Sequence, residues 1–235
     1  VDPFYIDKYE VSNAHYGTFR KEAAVPRPRP SGNEKLIERN RPVVAISWNS
    51  AEDYADWAGK ELPTEAMWVF VDRAAENTIY TTGDEVPEKD VVISDRGAYG
   101  LTVPVTEDTG DISGYGVFHM GGNISEWCRD FYDRDAYDQG DATNPLGPNS
   151  GEGKTIRGGN FTVKPEQTRT TVRRGAPRTY LRDELGFRTV WVPKPIEKPK
   201  DVTPTPTPTP EPDREAILQD LKNQVLPHLR SGKAE

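Results

Sequence analysis

Apolar positions keep a helical period through the first third of this chain, and no period is sustained beyond it. Val11-Ser12-Asn13-Ala14-His15-Tyr16 reads as a helix start, with Ser12 as the cap and Val11 and Tyr16 as a hydrophobic staple around it. Val43-Val44-Ala45-Ile46 is a short apolar run that predicts a buried strand. Asn49-Ser50-Ala51-Glu52 has the pattern of a capping box with Asn in place of Ser or Thr. Behind it Ala51, Tyr54, Ala55, Trp57 and Ala58 keep helical spacing, and Gly59 is placed to close the helix. Thr64-Glu65 opens a third predicted helix, through Trp68 and Val71 to Ala75. From Thr78 to Arg188 Gly, Pro, Asn and Asp recur too often for strands of more than a few residues. Helices early and irregular β structure late predict a loop-rich α+β domain over residues 1–192.

The character of the chain changes after that. Nine of the 21 prolines fall in residues 193–235, and Val202 to Pro212 alternates Thr with Pro. Each ring fixes φ and pushes the preceding residue toward extended geometry, so residues 193–213 predict a stiff tether of up to roughly 60 Å. Asp213 is then a good N-cap, and Ile217, Leu218, Leu221 and Val225 make one apolar stripe on a short helix that Pro227 stops. Residues 214–235 are expected to be a docking helix and tail. The alternatives are a helix folded back on its own domain, or a frayed end, since so short a helix is marginal alone in water.

Charge and cysteine count narrow the function classes. The 235 residues hold 30 Lys and Arg against 38 Asp and Glu, a net charge of −8, and 34% are hydrophobic. The tail carries seven residues of each sign, so the whole surplus belongs to residues 1–192. An acidic surface argues against a nucleic-acid partner. No run of about 18 apolar residues exists, so no helix of this chain is expected to span a bilayer. One cysteine excludes an internal disulfide and a multi-cysteine metal site, and the three His share no metal-site spacing. A first residue of Val rather than Met is read as a processed or partial chain, which leaves room for a lost signal peptide or lipid anchor.

Several motifs stand in a fixed order: PFYIDKYEVSNAHYGTF at 3–19, PVVAISWNSAEDYADWAGKELPTEAMW at 42–68, GYGVFHMGGNISEWCRDFY at 114–132, IRGGNF at 156–161 and GFRTV at 186–190. Together they resemble the formylglycine-generating enzyme family, also called sulfatase-modifying-factor domains. The resemblance implies a variant of the C-type-lectin-like fold. It also implies two cysteines shortly after the RGG motif that bind copper and oxidise a substrate cysteine. The positions that match them here are Val163 and Thr168, and neither offers the soft thiolate that Cu(I) needs. The lone Cys128 lies in another motif and reads as a small buried hydrophobe.

The resemblance further implies calcium in the GNxxEW loop, through carbonyls of Gly122 and Ile124 and the carboxylate of Glu126. His119 replaces the usual Asp or Asn, and Asn123 is close enough to compensate. The bland reading is that Glu126 and Asn123 satisfy a long turn without metal. A second calcium position of the family would fall near Val92 to Tyr99, where Asp95 is the obvious carboxylate.

Arg157 and Arg188 are expected to be buried, with their forks on loop carbonyls and carboxylates. Trp48, Trp57, Trp68, Trp127 and Trp191 are expected mostly in the core. Arg169, Arg173 and Arg174, with Arg178 and Arg182, make a basic cluster that suits an anion or an acidic partner face, or else a salt-bridged surface. Asp130, Asp133, Asp135 and Asp138 follow the EWC motif and read as a solvated loop or a cation site.

The function expected from these features is a non-catalytic interaction or structural subunit of a larger extracytoplasmic assembly, in the bacterial periplasm or at the cell surface. Its protein partners would meet surface loops and the tethered helix, and any membrane association would run through a partner or a lost anchor. The alternatives are a receptor for a sugar or another small ligand, and an enzyme of the same fold with altered chemistry around Lys164, Glu166 and Thr168.

Overall fold

Ser12 accepts a hydrogen bond from the His15 amide at 3.3 Å and starts helix α1, Asn13–Glu22. Val11 and Tyr16 are both buried in one apolar cluster on either side of that cap, as a staple requires. The structure is a computed structural model that describes residues 1–30, 33–74, 76–93, 101–139 and 143–193. The tether, the stripe Ile217, Leu218, Leu221 and Val225, and Asp95 lie outside the described residues.

Helix α2, Trp48–Trp57, starts earlier than the Asn49 pattern predicts. Ser47 is the cap: its backbone is extended and its hydroxyl accepts from the Ser50 amide at 3.2 Å. That leaves Asn49 inside the first turn. Gly59, with φ +67°, closes the helix as expected, and its N–H bonds the Asp56 carbonyl. Helix α3, Glu65–Arg73, is capped by Thr64 as predicted, whose hydroxyl accepts from Met67 N at 3.1 Å.

The strand predicted at Val43–Ile46 does not form a ladder. Val43 N bonds Val11 O and Ala45 N bonds Arg182 O, so successive amides reach different segments. Ala45 has φ +55°, which breaks the extended run. Val43, Val44 and Ile46 are nevertheless buried.

Two sheets follow. Strand β1, Tyr5–Ile6, pairs antiparallel with the last strand, β6, Val190–Trp191, and ties the two ends of the domain together. The larger sheet has the order Arg173–Ala176, Lys154–Arg157, Ser125–Phe131, Leu185–Gly186. Its central strand β2, Ser125–Phe131, pairs antiparallel with β3, Lys154–Arg157, and parallel with β5, Leu185–Gly186. Strand β4, Arg173–Ala176, runs antiparallel to β3. The register sets Glu126 opposite both Arg157 and Gly186.

The core gathers at the centre of this sheet. Tyr16, Phe19 and Tyr54 from α1 and α2 pack with Trp127 and Phe187. On the other side Trp68 and Val71 of α3 pack with Met120 and Cys128. Trp48, Trp68 and Trp127 are buried, whereas Trp57 and Trp191 lie at the surface, Trp57 bonding Glu22 and Trp191 packing on Tyr5.

Candidate functional site

The GGNISE turn delivers the chain into β2, and the buried side chains of Glu10, Asp111, His119 and Arg188 meet it there. Gly122 has no room for a side chain: a Cβ there would stand 1.2 Å from the Val92 carbonyl oxygen. Its amide and that of Gly121 donate to the Asp111 carboxylate at 2.9 and 3.1 Å. Burial pushes the Asp111 carboxyl up to about 6, against the pull of His119 and these two amides. Asn123 is left-handed at φ +61°, and its amide works in both directions. Its Oδ1 accepts from Val103 N at 2.9 Å, and its Nδ2 donates to Glu10 Oε1 at 2.9 Å.

Glu10 also meets His119, Nδ1 to Oε2 at 3.3 Å, while His119 Nε2 lies 3.0 Å from Glu107 O. Burial alone would lower the imidazole's pKa. The Glu10 and Asp111 carboxylates more than reverse that, so it stands raised. Glu126 is gripped by Arg188, Nη2 to Oε1 at 2.6 Å and Nε to Oε2 at 2.8 Å, and its Oε2 accepts from Trp68 Nε1 at 2.9 Å. Arg188 spends its remaining donors on the carbonyls of Asp7, Lys8 and Phe118.

Two of the four expected calcium ligands, Glu126 and Asn123, have their side chains engaged by the chain itself. Calcium asks for six to eight oxygens. The structure does bring Gly122, Asn123, Ile124 and Glu126 into one turn. However, Glu126 accepts from a guanidinium and an indole, and the Asn123 oxygen accepts from a backbone amide. Among the described residues no group of three or more His, Cys, Asp or Glu side chains could hold a metal ion. The turn that the resemblance assigns to calcium holds a cation of the chain's own, Arg188, against Glu126.

The RGG segment lies beside that turn. Gly158 takes φ +78°, and Gly159 N donates to Gly121 O at 3.1 Å. A Cβ on Gly159 would collide with that carbonyl oxygen at 2.4 Å. Val163 and Thr168 flank a 3₁₀ turn, Pro165–Gln167. Val163 is half-buried; Thr168 is buried and its hydroxyl donates to Pro165 O at 2.8 Å. Lys164 and Glu166 are exposed. The Cys128 thiol is fully buried in β2, and burial, with the Asp130 and Glu65 charges, holds it well above the usual thiol range.

The basic cluster is split. Arg173 is clamped on Glu65, Nε to Oε1 at 2.7 Å and Nη2 to Oε2 at 2.6 Å, between the rings of Tyr132 and Tyr137. Arg169 lies over Tyr80. Arg174 alone turns to Ser125, whose hydroxyl it meets at 2.6 Å. In the acidic loop, Asp130 is buried and accepts from Glu65 N, and Asp133 accepts from Asp135 N; both serve the backbone.

Sequence reasoning missed Glu10, Asp111 and Ser125. Only Glu10 left a signal, a carboxylate between Tyr9 and Val11 in an apolar stretch.

The family model described as "Sulfatase-modifying factor enzyme 1-like domain" matches residues 1–193. The formylglycine-generating enzyme of Thermomonospora curvata is 29% identical over 68% of this chain and 72% of its own length. That of Mus musculus is 27% identical over 68% of this chain, which spans 58% of the mouse protein. Among solved structures, PvdO from Pseudomonas aeruginosa superposes with a TM-score of 0.67 at 24% identity, covering 80% of each chain. The fold is therefore the α+β, formylglycine-generating-enzyme-like variant of the C-type-lectin-like fold that the motifs imply. No helix among the described residues is long and apolar enough to cross a membrane.

Proposed function

The chain belongs to the sulfatase-modifying factor enzyme 1-like family, and from that premise we propose that it is a non-catalytic member, an interaction subunit of a larger extracytoplasmic assembly. The observation that carries this reading is the pair Val163 and Thr168, which stand where the family resemblance calls for copper-binding cysteines. A valine side chain offers a metal no donor, and the Thr168 hydroxyl is already bonded to Pro165. Cys128, the one thiol of the chain, is buried and held protonated.

A scaffold that keeps the family's packed core but not its oxidising thiols retains its surface loops, and loops are where recognition usually sits. The Thr-Pro run and the apolar stripe at Ile217, Leu218, Leu221 and Val225 supply a second contact. Two linked contacts raise avidity through effective concentration when the linker spans both sites. Such Thr-Pro spacers suit a protein that works outside the cytoplasm.

The test is native isolation from the source organism in mild detergent, followed by sizing and mass spectrometry. Co-migration with a defined set of proteins, lost on deleting residues 193–235, is the expected result. A lone species of the size of one chain would overturn the reading.

A further inference from the structure

Residues Thr179 to Glu184 form a wall between two hollows. Thr179, Leu181 and Asp183 line a trough of about 690 Å³ with Tyr16, Phe19 and Ile46 among its walls. Tyr180 and Glu184 line a smaller cavity of about 190 Å³, together with the apolar side chains of Ile156, Ala176 and Leu185. Arg182 borders both.

The small cavity has a built polar side. Ser125 is buried in it, and its hydroxyl lies 3.1 Å from the carbonyl oxygens of both Gly158 and Gly159. With that proton so engaged, the oxygen accepts from Asn160 Nδ2 at 2.9 Å and from Arg174 Nη2 at 2.6 Å. Ser125 thus pins one corner of the Arg174 guanidinium. No carboxylate is among the described partners of Arg174, unlike Arg173 and Arg188, which each grip a glutamate. Arg182 is held through Nε by the Tyr180 hydroxyl at 2.8 Å. Two guanidinium groups face one carboxylate, Glu184, so the lining is one positive charge in excess. That balance suits a monoanion. A guanidinium fork matches a carboxylate with two parallel hydrogen bonds, and the apolar walls suit the carbons that carry it. At roughly 30 Å³ per water the cavity holds about six waters, space for one short side chain.

We propose that the cavity between Arg174, Arg182 and Ser125 receives a glutamate or aspartate side chain of an extended partner peptide that lies in the adjoining trough. This deepens the interaction reading above and rests on it. The trough supplies length beside the carboxylate pocket; with Arg182 shared, the two hollows together hold Arg27, Arg29, Arg174 and Arg182 against Asp53, Asp183 and Glu184, so the one excess positive charge remains for the carboxylate.

The test uses the full chain with ¹⁵N-labelled arginine. It is titrated with Ac-Ala-Ala-Glu-Ala-Ala-NH₂, with the same peptide carrying Gln, and with free glutarate. The Glu peptide is expected to shift the Nε–H signals of Arg174 and Arg182. The Gln peptide should bind about ten-fold more weakly or worse, the usual cost of losing a charged hydrogen bond. Arg174→Gln should abolish the response at Arg182, and Arg182→Gln the response at Arg174, in protein whose melting curve is unchanged; Lys89→Gln, at an exposed lysine that lines neither hollow, should keep both.

Equal binding of the Glu and Gln peptides, or no shift with any carboxylate, would overturn the site. Glutarate that binds as tightly as the peptide would overturn the peptide as occupant and leave a small carboxylate in its place. A native partner that stays bound to the Arg174→Gln protein would sink this inference and leave the interaction reading standing. Carboxylate binding in a protein that migrates alone would overturn the interaction reading and the partner peptide with it, and leave only a pocket for a small carboxylate.

Discussion

Arg188 and Glu126 form an ion pair without solvent contact, 2.6 Å from Nη2 to Oε1, and it joins the GFR segment to the start of β2. Removing one partner of such a pair strands the other charge in the core, at a cost of about 3–5 kcal/mol. Arg188→Met is therefore expected to lower the denaturation midpoint by that equivalent, while Arg188→Met with Glu126→Leu recovers much of it. A double-mutant cycle in urea checks this; additive losses would contradict it. Because the cation is part of the chain, exchanging chelator for calcium should leave the wild-type midpoint unchanged.

Asp72 is buried against Thr81, and burial, the first cause, raises its carboxyl from 3.8 to about 7. Asp111 and Asp130 stand at about 6 for the same reason. The folded protein then binds these protons more tightly than the unfolded chain does. Their contribution is fully present below about pH 4 and is lost as pH rises through about 7, on the order of a few kcal/mol for each group. Asp72→Asn keeps an oxygen for the Thr81 hydroxyl. It should flatten the slope between pH 4 and 7 and be the more stable protein at pH 8. Parallel stability curves for the two proteins would contradict this.

Two glycines should respond in opposite ways. Gly122→Ala drives a methyl into the Val92 carbonyl and should prevent normal folding. Gly17 lies inside α1 with nothing within 4 Å of an added Cβ. Gly17→Ala should stabilise by about 0.5–1 kcal/mol. Thermal melts of both proteins decide the matter.

Cys128 should resist iodoacetamide in the native protein at pH 8 and react at once in urea. Rapid native labelling would show that the thiol is accessible after all.

The caps at Ser12 and Thr64 were legible because capping is local. The start of α2 differs from the Asn49 pattern because the decisive acceptor, Ser47, sits two residues before it. Apolarity alone predicts a strand at Val43–Ile46, but its hydrogen-bond partners, Val11 and Arg182, lie far away in sequence. The same distance hid the Glu10–His119 pair, 109 residues apart, and the guanidinium that fills the expected calcium turn. Arg173 and Arg174 looked like one face, but neighbours on a strand point to opposite sides. One therefore clamps Glu65 and the other reaches Ser125.

The most direct test of a non-catalytic role is aldehyde formation. The purified chain, supplied with copper and oxygen, is incubated with a sulfatase-type cysteine peptide, and aldehyde is captured with a hydrazide. No aldehyde above the copper-only blank is expected, since Val163 and Thr168 supply no thiolate. Aldehyde that rises with the amount of this protein, and survives removal of free copper, would contradict it.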